Sequence, residues 1–249
     1  MRLELEVGRT DLAPYRKPFN ARGSRIERCQ GCGLPDSTCI CDYQVQAQAE
    51  VEFWLILHKK EQYKPTNTGR LIKDVLPNSR LFEWHRTEPP ASLLALLQDS
   101  RYQPWLVFPA DEERDQQRLQ PFARQPGKTP VFILLDGTWR QARRMFRLSP
   151  WLQQLPLISF QPQAGSGYGL RKALEENHLC TAEVGIELLR LAQEPAAEVL
   201  QNYFQVFNVH YVAGRLGQSL EPAAAARDWL ADYRRQQSGQ VVQMTQEQV

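Results

Sequence analysis

The sequence predicts an α/β fold: a mostly parallel sheet with helices on both faces, preceded by a small four-cysteine motif and followed by a helical C-terminus. Three observations support this fold class. Apolar runs rich in β-branched and aromatic residues alternate with helical segments through the middle of the chain. Four cysteines lie close together before the first of these runs, and only helical patterns follow Cys180. Strict alternation of strand and helix is typical of parallel sheets that are covered on both faces.

The elements follow in a regular order along the chain. Five apolar runs are predicted as strands: VEFWLIL (51–57), RLFEW (80–84), PWLVF (104–108), PVFILL (130–135) and LPLISF (155–160). The segments between them are predicted as helices: 66–76 after a loop, 90–98 opened by Pro and Ser, 112–119 and 139–148. Three longer helical patterns follow over 181–193, 198–216 and 223–235. The polar residues 237–249 are predicted to form a flexible tail.

Length and composition limit the classes of protein to which this chain can belong. A chain of 249 residues with 42% hydrophobic content can bury a core as one α/β domain with appendages, or as two small domains. Its apolar runs are far shorter than the roughly 20 residues that a membrane helix needs. The N-terminus has no apolar stretch typical of a secretory signal, so we expect a soluble, cytoplasmic protein.

Basic residues gather in two places although the net charge is only +2. One group runs from Arg16 to Arg28. The other comprises four arginines between positions 140 and 147. Local basic patches on a nearly neutral protein favour a localised polyanion site over general binding to anions, while either patch alone could be an ordinary solvated surface.

Four cysteines share the segment RCQGCGLPDSTCICD with the spacing C-x2-C-x6-C-x-C; they are Cys29, Cys32, Cys39 and Cys41. Four thiolates so close together favour a tetrahedral zinc ion, and Gly33 supplies the permissive backbone that a metal knuckle needs. A redox-active disulfide pair is the alternative. With sulfur in all four positions the zinc would be structural, because no position stays open for a catalytic water.

The loop after the fourth strand, LLDGTWRQARRM, raises the question of a reactive turn. Thr138 and Gln141 fit a T-x-x-Q capping box, so Asp136 is not needed to start the helix. Ligands of parallel sheets bind beyond the carboxyl ends of the strands, where this loop lies. Arg140, Arg143 and Arg144 stand in the first two helical turns, where the helix dipole disfavours cations by roughly 0.3–1 kcal/mol each, which suggests an anionic partner.

The loop after the first strand resembles an anion site as well. Lys59, Lys60, Lys64 and Arg70 surround the turn TNTG, whose Asn67 or Thr68 can cap a helix with free backbone N–H groups. Such a terminus can bind phosphate, or it can be a solvated turn.

Five blocks in order resemble the DTW-domain family, and in particular its bacterial tRNA-uridine aminocarboxypropyltransferases. The blocks are RCQGCGLPDSTCICD, the NTGRL within 66–71, VFPA (107–110), LDGTWRQARRMF, and the stretch from YGLRK to CTAEVGIELL (168–189). The resemblance implies an S-adenosylmethionine-dependent enzyme with a SPOUT-related α/β fold, in which the C-terminal part of the sheet can be knotted. Cys180 departs from the small hydroxyl residue expected there, and we interpret it as a small buried residue.

The resemblance also implies roles for residues. Asp136, Thr138 and Trp139 form the signature, with Asp136 as the catalytic acid-base group. The expected cofactor-binding residues are Phe108, Pro109, Ala110, Leu135, Gly137, Leu170, Arg171, Lys172, Thr181 and Glu183. The expected tRNA-binding residues, chosen by charge, are Arg22, Arg25, Arg28, Lys59, Arg70, Arg140, Arg143 and Arg144. The implied domains are a basic arm (1–24), the zinc motif (25–46), the catalytic domain with its helical part (47–236) and the tail (237–249).

The implied reaction transfers the 3-amino-3-carboxypropyl group to N3 of a tRNA uridine, with the variable loop as the expected position. Two other functions stay open at this point. One is RNA methylation with the same cofactor, and the other is a zinc-containing RNA-binding module without catalysis. The sequence leaves the oligomeric state open.

Overall fold

A computed structural model describes residues 26–59, 61, 64–110, 112–159 and 179–246. Its sheet has five strands in the order β2-β1-β4-β3-β5, and all neighbouring strands are parallel. The strands are β1 (Glu52–Leu57), β2 (Arg80–Glu83), β3 (Tyr102–Val107), β4 (Thr129–Asp136) and β5 (Leu157–Ile158). The α/β class and the parallel sheet predicted from the sequence are therefore confirmed.

Helices cover both faces of the sheet. They are α1 (Gly69–Val75), α2 (Ala91–Gln98), α3 (Glu113–Gln116), α4 (Trp139–Arg147), α5 (Thr181–Leu191), α6 (Ala196–Leu216) and α7 (Ala224–Gln246). Strand β1 shows why its sequence is continuously apolar: Phe53 and Leu55 point into the core beneath α1, α5 and α6, while Trp54 and Ile56 point into the core beneath α2 and α4. A strand buried on both faces has no polar side to alternate with.

Strands β1 and β4 lie side by side, and the chain leaves them in opposite directions. After β1 it passes through α1 to β2 on one side, and after β4 it passes through α4 to β5 on the other. This is a topological switch point, beyond which open parallel sheets form a crevice for ligands. Asp136, the last residue of β4, lies opposite Leu57 at this point.

The four-cysteine segment packs on the helical layer instead of standing apart. Leu34 and Ile40 belong to the same core as α6. Gly214 of α6 lies so close to the segment that an added Cβ would come within 2.7 Å of Thr38 Oγ1. Helix α7 docks here too, because Arg234 donates hydrogen bonds to the backbone oxygens of Asp42 (2.7 Å) and Gln44 (2.9 Å).

Most element boundaries shift by one to three residues from the sequence prediction, and three elements differ more strongly. Helix α7 continues to Gln246, so residue 237, where the predicted tail begins, falls inside a helix. Helix α3 spans only Glu113–Gln116, because Leu119 leaves the helix to bridge to Leu157 of β5. Strand β5 contains two of the six residues that the sequence predicts for it. The knot implied for the C-terminal part of the sheet stays a prediction, because residues 160–178 after β5 lie outside the described residues. No helix in the described ranges is long and apolar enough to span a membrane.

Phe132 of β4 is fully buried and contacts the rings of Phe53 and Phe122 at centroid distances of 5.5 and 5.4 Å. We expect Phe132→Ala to lower the free energy of unfolding by about 3–5 kcal/mol, because the deletion leaves a cavity among the rings of Phe53, Phe122 and Trp105. Leu216→Ala is the control, since Leu216 is 60% exposed and its truncation should change stability by less than about 0.5 kcal/mol. Urea titrations measure both values, and similar losses in the two variants would contradict this description of the core.

Candidate active site and metal centre

Asp136 is the buried centre of the candidate site, with 3% of its surface exposed. Asn67 Nδ2 donates a hydrogen bond to Asp136 Oδ2 at 2.5 Å, and Thr181 Oγ1 donates to Oδ1 at 2.6 Å. Hydrogen bonds to an ionised carboxylate are short and strong. The carboxylate is thus held from two sides, by the loop after β1 and by the start of α5.

Helix α4 begins without help from Asp136. The backbone N–H of Thr138 donates to Gln141 Oε1 at 2.7 Å, and the backbone N–H of Gln141 donates to Thr138 Oγ1 at 3.4 Å. This is the capping box that the sequence predicts. The Asp136 side chain takes no part in this cap and points toward Asn67 before α1 and Thr181 of α5.

The turn before α1 is built to approach Asp136 closely. Asn67 Oδ1 accepts the backbone N–H of Arg70 at 3.0 Å, which fixes the amide so that its NH₂ group faces the carboxylate. Gly69 has no side chain in the way, whereas an added Cβ would lie 2.6 Å from Asp136 Oδ2. The sequence identifies Asn67 as a candidate helix cap. Its bond to Asp136 gives no local signal, because the two residues are 69 positions apart.

Helix α5 meets the same turn through its first residues. The backbone N–H of Ala182 donates to Thr68 Oγ1 at 3.3 Å, beside the bond from Thr181 to Asp136. Glu183 Oε2 accepts the backbone N–H of Cys180 at 2.8 Å, so this carboxylate caps α5. Burial raises the pKa of the Cys180 thiol to about 12, which is consistent with a small buried residue that stays protonated.

Three aromatic rings stack beside the turn between β4 and α4. The rings of Phe108 and Trp139 are nearly parallel at 5.4 Å, and Phe146 stacks on Phe108 at 4.3 Å. The Arg143 guanidinium lies 5.0 Å from the centroid of Trp139. Because Phe108 follows β3 and Trp139 opens α4, the stack joins two of the loops expected to enclose the cofactor.

The remaining expected site residues divide into three groups. Those half-buried near the ends of β3 and β4 are Pro109, Ala110, Leu135 and Gly137. The exposed cations are Arg28, Lys59, Arg140, Arg143 and Arg144. Five expected residues lie outside the described ranges: Arg22, Arg25, Leu170, Arg171 and Lys172.

Arg70 is partly buried between α1 and α6. Its Nε and Nη2 atoms are buried, and its guanidinium lies 5.4 Å from the ring centroid of Phe207 on α6. A contact between Arg70 and tRNA stays a prediction.

The four cysteines converge as their spacing predicts. Their Sγ atoms all lie within 4.8 Å of one another, with 3.5 Å between Cys29 and Cys41 and 3.7 Å between Cys32 and Cys39. A tetrahedral zinc with Zn–S bonds of about 2.3 Å separates its sulfurs by roughly 3.8 Å, so the donor set fits this ion. Gly33 adopts φ +69°, as a tight knuckle requires. A backbone hydrogen bond from Cys32 lowers the pKa of Cys29 to about 7, whereas burial raises the pKa values of Cys39 and Cys41.

Comparison with known proteins identifies the family. The model of the DTW domain matches residues 26–212, which include the cysteine cluster, Asn67, Asp136 and Thr181. The chain belongs to the DTW family. Two relatives are both named tRNA-uridine aminocarboxypropyltransferase 2. The one from Drosophila melanogaster is 25% identical over 179 residues, which cover 68% of each chain. The one from Mus musculus is 22% identical over 176 residues, which cover 68% of this chain and 58% of the mouse protein. No solved structure matches the chain.

Gly69→Ala tests the close contact between α1 and Asp136. Alanine favours helices over glycine by roughly 0.8–1.0 kcal/mol, so intrinsic propensity alone would stabilise this variant. The added methyl would instead overlap Asp136 Oδ2 and Leu55 Cδ2, and we expect a net loss of about 1–3 kcal/mol. Thermal and urea unfolding measure the difference. A variant more stable than the parent would show that α1 does not press against this carboxylate.

Proposed function

We propose that this DTW-family protein transfers the 3-amino-3-carboxypropyl group of S-adenosylmethionine to N3 of a uridine in tRNA. The names of the two relatives support tRNA modification by aminocarboxypropyl transfer. The observation that carries the proposal for this chain is the position of Asp136, the acid of the signature motif. It stands at the switch point of the sheet with both oxygens oriented by Asn67 and Thr181.

In the proposed reaction the uridine N3 loses its proton and the sulfonium loses its positive charge. Uridine N3 forms a bond to the methylene beside the sulfonium, the carbon–sulfur bond breaks, and the N3 proton must go to a base. S-adenosylmethionine, when bound, supplies the electrophilic carbon, and its 5′-methylthioadenosine part is the neutral leaving group. Asp136 accepts or orients the N3 proton. The bonds from Asn67 and Thr181 fix the orientation of the carboxylate that would act on the uracil N–H.

Several side chains at the strand ends fit the donor. The Phe108–Trp139 stack gives an apolar wall, and the half-buried backbone at Pro109 and Ala110 borders the same crevice. Arg171 or Lys172, whose charge suits the methionine carboxylate, belong to the expected set beyond the described residues. Glu183 is a weaker candidate for the ammonium group than its charge suggests, because one of its oxygens already caps α5.

The tRNA side of the site is the exposed face of α4. The uridine must leave its stack to present N3, and the phosphates beside it need cations. Arg140, Arg143 and Arg144 are exposed directly after the signature motif, and Lys59 is exposed beyond β1. Arg28 lies beside the cysteine segment and extends the basic surface toward residues 1–25, which include Arg22 and Arg25. The variable loop of tRNA is the proposed target, and the cysteine cluster is the proposed structural zinc site.

A double-label experiment tests the reaction and separates it from its two alternatives. Unmodified tRNA is incubated with the protein and with S-adenosylmethionine labelled either in the methyl group or in the carboxypropyl carbons. We expect only the carboxypropyl label in the RNA. Transfer of the methyl label would make the protein a methyltransferase, and transfer of neither label, with tRNA still bound, would favour a binding module.

Asp136→Ala tests the role of the central carboxylate. General acid-base groups contribute about 10²–10⁴ to rate, so we expect single-turnover transfer to fall by that factor or more. Binding of tRNA, measured by filter retention, should stay close to the parent value, because the residue is buried behind the arginine face. A fully active variant would remove Asp136 from the reaction.

Substitutions of the α4 arginines test the tRNA face. Changing Arg140, Arg143 or Arg144 to Gln should weaken tRNA binding and lower the slope of log K against log salt by roughly 0.7–0.9 for each phosphate that is no longer neutralised. Arg101→Gln is the control: Arg101 pairs with Asp99 at the opposite edge of the sheet, before β3 begins. Equal slopes in all four variants would place the RNA elsewhere.

A further inference from the structure

The Arg70 side chain is partly buried, and two of its nitrogens lack partners. Nε and Nη2 have neither accessible surface nor a hydrogen-bond acceptor among the described residues. The guanidinium carbon lies 5.4 Å from the ring centroid of Phe207. Burying charged nitrogens without an acceptor costs free energy, and an anion nearby lowers that cost. Negative charge close to Arg70 therefore stabilises this position.

Asp74, one helical turn further along α1, supplies only part of this charge. Burial raises the pKa of Asp74 to about 6, while Arg70 acts to lower it. Tyr203 donates a hydrogen bond to Asp74 Oδ2 at 3.3 Å. No ion pair within 4.0 Å joins Arg70 to Asp74 among the salt bridges of the described residues.

The guanidinium points at the cysteine knuckle. Arg70 Nη1 lies 2.9 Å from the position that a Cβ on Gly33 would occupy, directly after Cys32. A side chain at position 33 would displace this guanidinium. Four thiolates around a divalent ion carry two net negative charges, so a metal-loaded cluster supplies the missing anion.

The main chain of the same residue holds the active-site turn. The backbone N–H of Arg70 donates to Asn67 Oδ1 at 3.0 Å, and Asn67 Nδ2 donates to Asp136 Oδ2 at 2.5 Å. The side chain and the amide of one residue thus face the two functional centres of the protein. Arg70 and Asn67 therefore link the cysteine knuckle to the Asp136 carboxylate.

We propose that Arg70 is a positioning residue through which the metal-loaded cysteine cluster holds Asn67 and Asp136 in place. The cluster attracts the guanidinium against Gly33, which fixes the first turn of α1 and orients the amide of Asn67. The metal then acts on the active site in addition to folding its own loop. This inference rests on the proposed metal site and not on the proposed reaction, so its test needs no activity measurement.

Zinc release tests the side-chain half of the link. The zinc-loaded full chain is mixed with a chromogenic chelator, and the release rate is compared between the parent, Arg70→Met, Arg70→Lys and Arg101→Met. Loss of a partner outside the ligand set typically costs 10–100-fold in metal affinity, and we expect Arg70→Met to release zinc faster by a factor in that range. Arg70→Lys should restore part of the difference. Arg101→Met is the control and should release zinc like the parent, because exposed Arg101 pairs with Asp99 just before β3.

Amide hydrogen exchange tests the main-chain half. Removing zinc from the parent should speed exchange at the amides of Arg70 and Leu71, which close the first turn of α1, and leave the amides of β4 protected. Zinc-loaded Arg70→Met should show the faster exchange already, with little further change on zinc removal.

Three results would overturn the inference. The first is a protein that binds no stoichiometric zinc, and the second is an Arg70→Met variant that releases zinc as slowly as the parent. The third is a zinc-loaded Arg70→Met variant in which the amides of the first α1 turn and of β4 are both as protected as in the parent. This comparison tests the inference even if zinc removal unfolds the whole chain.

Discussion

The two hydrogen bonds on the Asp136 carboxylate are the constraint on which the rest of the structure depends. They join the end of β4 to the turn before α1 and to the start of α5. Local features of the chain make these contacts possible. Gly69 gives room for α1, and the capping box of Thr138 and Gln141 starts α4 without drawing on Asp136. The parallel sheet adds the switch point that places this junction beside a crevice.

Charge is arranged on two sides of this junction. The arginines of α4 stand exposed near a helix N-terminus, where the helix dipole disfavours them, and the cation over Trp139 recovers part of that cost. Arg70, by contrast, is partly buried beside Phe207 and lies close to the cysteine knuckle. The same residue type therefore serves two purposes: the exposed set suits a polyanion from solution, and the partly buried one suits an anion that belongs to the protein.

Features set by neighbours in sequence could be predicted, while features set by distant contacts could not. The apolar run of β1, the T-x-x-Q box and the cysteine spacing each carry their cause within about a dozen residues, and the structure agrees with all three. Asn67 and Thr181 reach Asp136 across 69 and 45 positions, so no local pattern announces these bonds. The contact between Arg70 and Phe207 of α6 has no local signal for the same reason. Helix α7 extends beyond its predicted end, and its Arg234 donates a hydrogen bond to the distant cysteine segment.

The proposed role of Asn67, to orient Asp136 for the reaction, is tested most directly by a double-mutant cycle. Single-turnover transfer to tRNA is measured for Asn67→Ala in the parent and in the Asp136→Asn background. We expect a loss in the parent of roughly 2- to 100-fold, the range that coupling between contacting residues spans, and little further loss once Asp136 is changed. The same fold-loss in both backgrounds would show that Asn67 acts independently of the carboxylate, and would contradict this role.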